Sequence, residues 1–72
     1  MVVKVNSALA FSNSAYKEMV DKIVIHLNTH GKITVAEGRD LLNTSRKYIL
    51  PLLEYLDQQR ITRRVGDQRV LR

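Results

Sequence analysis

The chain has 72 residues, no cysteine, and a formal charge of +5 with a pI near 10.0. A chain of this length removes about 60% of its unfolded surface from water on folding, which supports one small core but leaves no room for an enclosed active site. Without thiols, neither disulfides nor thiolate-bound zinc can add stability. No apolar run reaches the roughly 18–20 residues of a membrane span, and no basic segment leads into an apolar run with a small-residue cleavage site, so the expectation is a soluble, cytoplasmic protein with no membrane partner.

Residues 1–11 read as an N-terminal strand or hairpin: Val2-Val3-Lys4-Val5 is β-prone, Asn6-Ser7 offers a turn, and Leu9 and Phe11 alternate with alanines. Residues 12–72 read as one further unit. Ser12-Asn13-Ser14 supplies N-caps for a first helix, in which Tyr16, Met19, Val20, Ile23, Val24 and Leu27 fall on one face and Gly31 follows as a left-handed stop. Lys32-Ile33 suits a short bridging strand, and Thr34-Val-Ala-Glu37 is a capping-box pattern opening a second helix that ends by about Leu42. Gly38 lies inside that helix, where it costs about 0.8–1 kcal/mol relative to alanine; either a neighbour approaches closely or the position is suboptimal. Asn43 tolerates positive φ and can make the tight turn of a helix-turn-helix, with Thr44 or Ser45 capping a third helix.

In the third helix Ile49, Leu52, Leu53 and Leu56 form a core stripe, while Lys47, Pro51, Glu54 and Gln58 form the outward face open to a partner. Pro51 removes a backbone hydrogen bond at about 3 kcal/mol in a regular helix interior. Beyond it, Ile61, Thr62 and Val65, the turn Gly66-Asp67, and Val70-Leu71 make a hairpin. If Ile61 and Val65 face inward, Arg63 shares their face, with Asp40 or Asp57 as its candidate partner, and Arg64 points outward. The fold class is therefore α+β: a winged helix with a three-helix helix-turn-helix core and a small antiparallel sheet.

Charge placement says more than the total. Residues 1–31 carry three bases against two acids, whereas residues 60–72 carry five arginines against Asp67 alone. Arg46 and Lys47 stand at the start of the third helix, where the dipole is already positive and a phosphate would relieve the strain. Arg64 and Arg69 suit phosphate contact or edge protection. Tyr48 suits base stacking or the core margin. No phosphate-cradling glycine loop or catalytic constellation is present, so the chain is not expected to be an enzyme. His26 and His30, four apart, are expected as surface histidines rather than metal ligands, and Glu37/Asp40 and Glu54/Asp57 as solvated helix faces.

Leu41-Leu-Asn-Thr-Ser-Arg-Lys-Tyr48, Pro51-Leu-Leu-Glu-Tyr-Leu-Asp57, Thr62-Arg-Arg-Val-Gly-Asp67 and Arg69-Val-Leu71 closely resemble the C-terminal winged-helix domain of the bacterial selenocysteine-specific elongation factors, SelB. The resemblance is dense from Gly31 to Arg72. It is looser from Val2 to His30, where residues 1–11 look like the end of a preceding winged-helix module. It implies a module that grips the selenocysteine insertion hairpin in mRNA, with no cofactor in this chain; GTP binding and contacts with the ribosome and selenocysteyl-tRNA would belong to the full-length factor. The RNA contacts it implies are Arg46, Lys47, Tyr48, Arg63, Arg64, Gly66, Asp67, Gln68 and Arg69. Pro51 fits the family pattern. Gly38 stands where a large apolar residue is usual, implying a looser second helix. An A-form major groove is too deep and narrow for a helix to read, so the resemblance points to phosphates and unpaired loop bases as contacts. The alternatives are a winged-helix DNA-binding regulator, which Glu54 and Pro51 on the outward face equip poorly, and a protein-interaction module, which would expose a sizeable apolar patch.

Overall fold

The computed structural model describes residues 2–72. Strands β1 (Val2–Asn6) and β2 (Leu9–Ser12) pair antiparallel, with an irregularity between Lys4 and Asn6. Such a bulge locally re-aims side chains, and Val5 at this point is buried in the core. Asn6 Oδ1 accepts the Ala8 N–H at 2.8 Å and closes the turn.

Helix α1 (Asn13–His30) is capped by Ser12, whose hydroxyl accepts the Ala15 N–H at 3.2 Å. It ends at Gly31, φ 80°, whose N–H returns to the Leu27 carbonyl. After β3 (Ile33–Thr34), the Thr34/Glu37 capping box opens α2 (Val35–Leu41), with both reciprocal hydrogen bonds formed. The helix-turn-helix bend at Asn43, φ 51°, is a Schellman arrangement: Thr44 N–H bonds the Arg39 carbonyl and Asn43 N–H the Asp40 carbonyl. The same motif closes α3 (Arg46–Gln58), where Ile61 N–H bonds the Leu56 carbonyl and Arg60 N–H the Asp57 carbonyl. Here the left-handed position is held by Arg60, φ 61°, a residue type that gives no sequence signal for it. Helix α3 runs continuously through Pro51.

Strands β4 (Thr62–Val65) and β5 (Gln68–Leu71) form the wing, and β3 adds to β5, giving the order β3-β5-β4. The core joins all layers: Val5 from the hairpin, Ile23 and Leu27 from α1, Ile33 from β3, and Ile49, Leu52, Leu53 and Leu56 from α3. Tyr16 of α1 meets Tyr55 of α3 edge-on at 5.8 Å, a favoured aromatic geometry. Among the described residues no helix is long and apolar enough to cross a membrane.

Three expectations change. Gly38 does not loosen α2. It is buried, and a Cβ there would lie 3.0 Å from Ile49 Cγ1 and Cδ1 and 3.6 Å from Ile33 Cδ1, so the missing side chain is what seats α2 closely on α3. Ile61, just before β4, packs partly buried against the core as expected, but within the wing the inward face is one residue out of phase with Val65. Thr62 and Arg69 are buried while Val65 is 49% exposed, and a one-residue slip exchanges the faces of a strand. Asp57 is not on a solvated face. Its Oδ1 accepts the Thr62 hydroxyl, and its Oδ2 lies 3.3 Å from Arg69 Nε.

Candidate nucleic-acid interface

The register of β4 and β5 places Arg64 directly opposite Arg69. Like charges opposed across a ladder destabilise it. Here Asp57, from the last turn of α3, takes the Arg69 guanidinium, and Arg64 turns away to donate from Nε to the Gly66 carbonyl at 3.0 Å. Arg69, expected as an exposed contact, is thus only 3% exposed and fixes the wing to α3. Arg64 is exposed on the same strand face, past the edge of the core. Arg63, read as an RNA contact with Asp40 or Asp57 as its alternative partner, is exposed on the other face of the wing, and Asp57 pairs with Arg69 instead.

Between the wing and the helix-turn-helix lies an open hollow of about 340 Å³, bordered by Thr34 to Ala36 at the start of α2, Arg46 and Leu50 of α3, and Arg64, Asp67 and Arg69 of the wing. Ser45 occupies the N-cap position of α3 with extended backbone, yet its hydroxyl caps no N–H. The first turn therefore keeps donors for an anion beside the Arg46 and Lys47 cations. Gly66, φ 61°, makes the exposed wing turn, a conformation open to glycine without penalty. Asp67 is exposed beside it; Gln68 is half-buried, its backbone in the ladder between Thr34 and Val65.

Lys47 and Tyr48 do not share this hollow. They line a second one of about 380 Å³, on the side of α3 where the β1–β2 turn approaches, together with Asn6, Ala8, Leu9 and Pro51. Tyr48 is 40% exposed, and Lys47 Nζ lies 5.7 Å from its ring centre. The structure thus splits the expected site into a wing-side group (Arg46, Arg64, Asp67) and a hairpin-side group (Lys47, Tyr48), with Arg63 apart from both. The sequence pattern does not single out Leu50; it does single out Asp57, but with Arg63 rather than Thr62 and Arg69 as its candidate partner. Leu50 sits between core positions in the helical pattern, and the role of Asp57 depends on a strand that follows it in the chain.

On α1, the His26 and His30 rings lie 4.5 Å apart; His26 is half-buried, with Nε2 out of contact with water and without a hydrogen-bond partner. No third side chain joins them in a metal-ligating group among the described residues.

Residues 25–71 match the family model described as elongation factor SelB, winged helix. The chain is 31% identical over its whole length to a selenocysteine-specific elongation factor of Desulfomicrobium baculatum, and 35% identical over 99% of its length to that of Haemophilus influenzae. It spans 11% of the length of each of these relatives. Among solved structures it superposes with a TM-score of 0.90, at 28% identity and over 99% of its length, on 59% of the mRNA-binding domain of E. coli elongation factor SelB, determined in complex with SECIS RNA. A winged-helix fold, a family match over most of the chain and similarity along this chain's own length to part of two such factors lead to one conclusion: the chain belongs to the SelB elongation factor family, as a winged-helix domain of it.

Proposed function

We propose that this chain is an RNA-binding module of a selenocysteine-specific translation elongation factor and that it holds the selenocysteine insertion hairpin of the message through its wing and helix-turn-helix. The observation that carries this reading is the wing-side hollow. Arg46 and Arg64 converge there beside the uncapped start of α3, with Asp67 at the rim as the one acid available to a base edge. Arginines fit phosphate oxygens in a bidentate fork, and a carboxylate accepts from the donors of an unpaired base. The full-length factor would supply GTP binding and the contacts with the ribosome and selenocysteyl-tRNA, at the cytoplasmic site of translation; this domain contributes recognition and no chemistry. The N-terminal segment, of which residues 2–12 pair as a hairpin, fits the end of a preceding winged-helix module.

Duplex DNA is the weaker partner. Leu50 borders the hollow and Pro51 and Glu54 follow it on α3, two groups without donors and one that repels phosphate, where a groove-reading helix needs base-specific donors. The test is the salt dependence of hairpin binding by fluorescence anisotropy. Arg46→Ala and Arg64→Ala each lower the slope of log K against log salt by about one, the signature of a lost phosphate contact. Unchanged slopes in both variants would remove the wing-side hollow from the interface.

A further inference from the structure

The side chains that fasten the wing to the helices meet at one carboxylate. We propose that Asp57 is a positioning residue for RNA recognition. It touches no RNA, but by holding both strands of the wing on α3 it sets Arg64 and Asp67 at a fixed reach from Arg46, and that fixed reach governs discrimination between hairpin loops. This rests on the RNA-binding reading above and adds to it a residue outside the interface.

Three observations carry it. Asp57 Oδ1 accepts the Thr62 hydroxyl and Oδ2 meets Arg69 Nε at 3.3 Å; Thr62 belongs to β4 and Arg69 to β5, so one side chain ties down both strands. Among the described residues these are the only side-chain hydrogen bonds between the wing and the helices. The wing's ladder with β3 is two residues long and reaches β5 alone. Beyond the buried base of Thr62 and Arg69, residues 63–67 are all exposed, and the bond from Arg64 Nε to the Gly66 carbonyl stays within the tip. The tip therefore projects from the base that Asp57 holds. Finally, Arg64 and Arg69 oppose each other across the ladder and both border the wing-side hollow. Without Asp57 the two like charges would repel there.

Arg46 opens α3 and Asp57 stands in its last turn, about 16 Å apart along one stiff rod at about 1.5 Å per residue. Tying the wing to one end of that rod fixes its tip relative to the cation at the other. A tip ordered before binding pays no ordering entropy on binding. Attraction to phosphate falls gently with distance and carries no sequence information. A hydrogen bond to a base edge fails steeply with misalignment. A loosened wing should therefore lose loop discrimination first.

The test pairs heteronuclear NOEs of the free 72-residue chain with affinities for the SECIS RNA hairpin and for a hairpin of identical stem and altered loop. Arg69→Met cuts the tie to β5. The triple variant Asp57→Leu/Thr62→Val/Arg69→Met replaces the polar base by apolar groups, an exchange that buried ion pairs often tolerate. In Arg69→Met the amide NOEs of Arg63 to Gln68 should fall, and the intact hairpin should bind about tenfold more weakly. The altered loop should stay within about twofold of its wild-type affinity, at an unchanged salt slope. The triple variant should recover both the NOEs and the affinity for the intact hairpin, because it restores placement without restoring any group that a contact would need. Equal loss for both loops, a salt slope lower by about one, or weak binding by a triple variant with an ordered wing would each overturn the positioning role and leave RNA binding intact. Failure of the wild-type chain to bind either RNA overturns the RNA-binding reading, and the proposal with it. Circular dichroism shows which variants fold, and Arg69→Met alone is decisive should the triple variant unfold.

Discussion

Replacing Asp57 with alanine should unfold the wing's attachment without touching a residue that reaches RNA. Asp57 is 24% exposed, and its two oxygens hold the Thr62 hydroxyl and the Arg69 guanidinium, two groups at 1% and 3% exposure. Removing one partner of a buried ion pair costs about 3–5 kcal/mol, because the surviving charge is left unpaired away from water. Water reaches Asp57, so the lower end applies, and we expect about 3 kcal/mol, the loss of the acceptor for Thr62 included. At about 0.05–0.15 kcal/mol per residue, a chain of this size has roughly 4–11 kcal/mol in all, so Asp57→Ala should leave a marginal fold. Arg69→Met keeps the apolar stem and leaves a carboxylate that water can solvate; it should cost only about 1–2 kcal/mol. Urea unfolding at pH 7, followed by far-UV circular dichroism, measures both. An Asp57→Ala value within 0.5 kcal/mol of wild type, or one smaller than that of Arg69→Met, would refute the pairing. So would a fall of about one in the RNA salt slope of Arg69→Met, since that would make Arg69 a phosphate contact instead.

Gly38→Val must press branched carbons into Ile49, itself 0% exposed and already 3.0 Å from a built Cβ. Overpacking of this kind costs about 1–3 kcal/mol, and we expect about 2 kcal/mol in urea unfolding. Arg60→Gly relieves an L-residue held at φ 61°. Set against the greater unfolded-state freedom of glycine, it should stabilise by about 0.5–1 kcal/mol, seen as a higher urea midpoint at constant m. The Glu37 carboxyl is held below its usual range, chiefly because it accepts the Thr34 backbone N–H. A lowered folded-state pKa gives stability that is present above the unfolded value, near 4.5, and is lost as pH falls through the folded value. The deficit of Glu37→Gln relative to wild type should therefore be largest at neutral pH and shrink in acid. A deficit that stays constant between pH 7 and strongly acidic solution would contradict the capping-box assignment.

Local signals carried the helices well. Ser12, Gly31, the Thr34/Glu37 box and Asn43 are each a residue type selected by the backbone at that point, and each stands where its type required. The stripe Ile49, Leu52, Leu53 and Leu56 is buried throughout because a 3.6-residue period admits one apolar face. The wing was harder to phase. Ile61, just before the strand, and Val65, at its end, resemble a core pair, but the hydroxyl of Thr62 and the guanidinium of Arg69 could be buried only with Asp57 between them, a long-range arrangement that alternation does not encode. Gly38 misled for a similar reason. Propensity charges a glycine to its own helix, whereas its effect here is on the distance to Ile49. The candidate site residues could be named from the sequence only as charged and polar groups at a helix start and on the wing. Their division into two hollows was not legible, because it depends on where the β1–β2 turn comes to rest beside α3.

Whether this domain recognises an RNA hairpin through its loop is decided by a competition experiment. The chain is bound to labelled SECIS RNA and displaced in turn by the same unlabelled hairpin, by a hairpin with identical stem and altered loop, and by duplex DNA at equal salt. Only the intact hairpin should compete effectively. Equal competition by the altered loop, or stronger competition by duplex DNA, would contradict this.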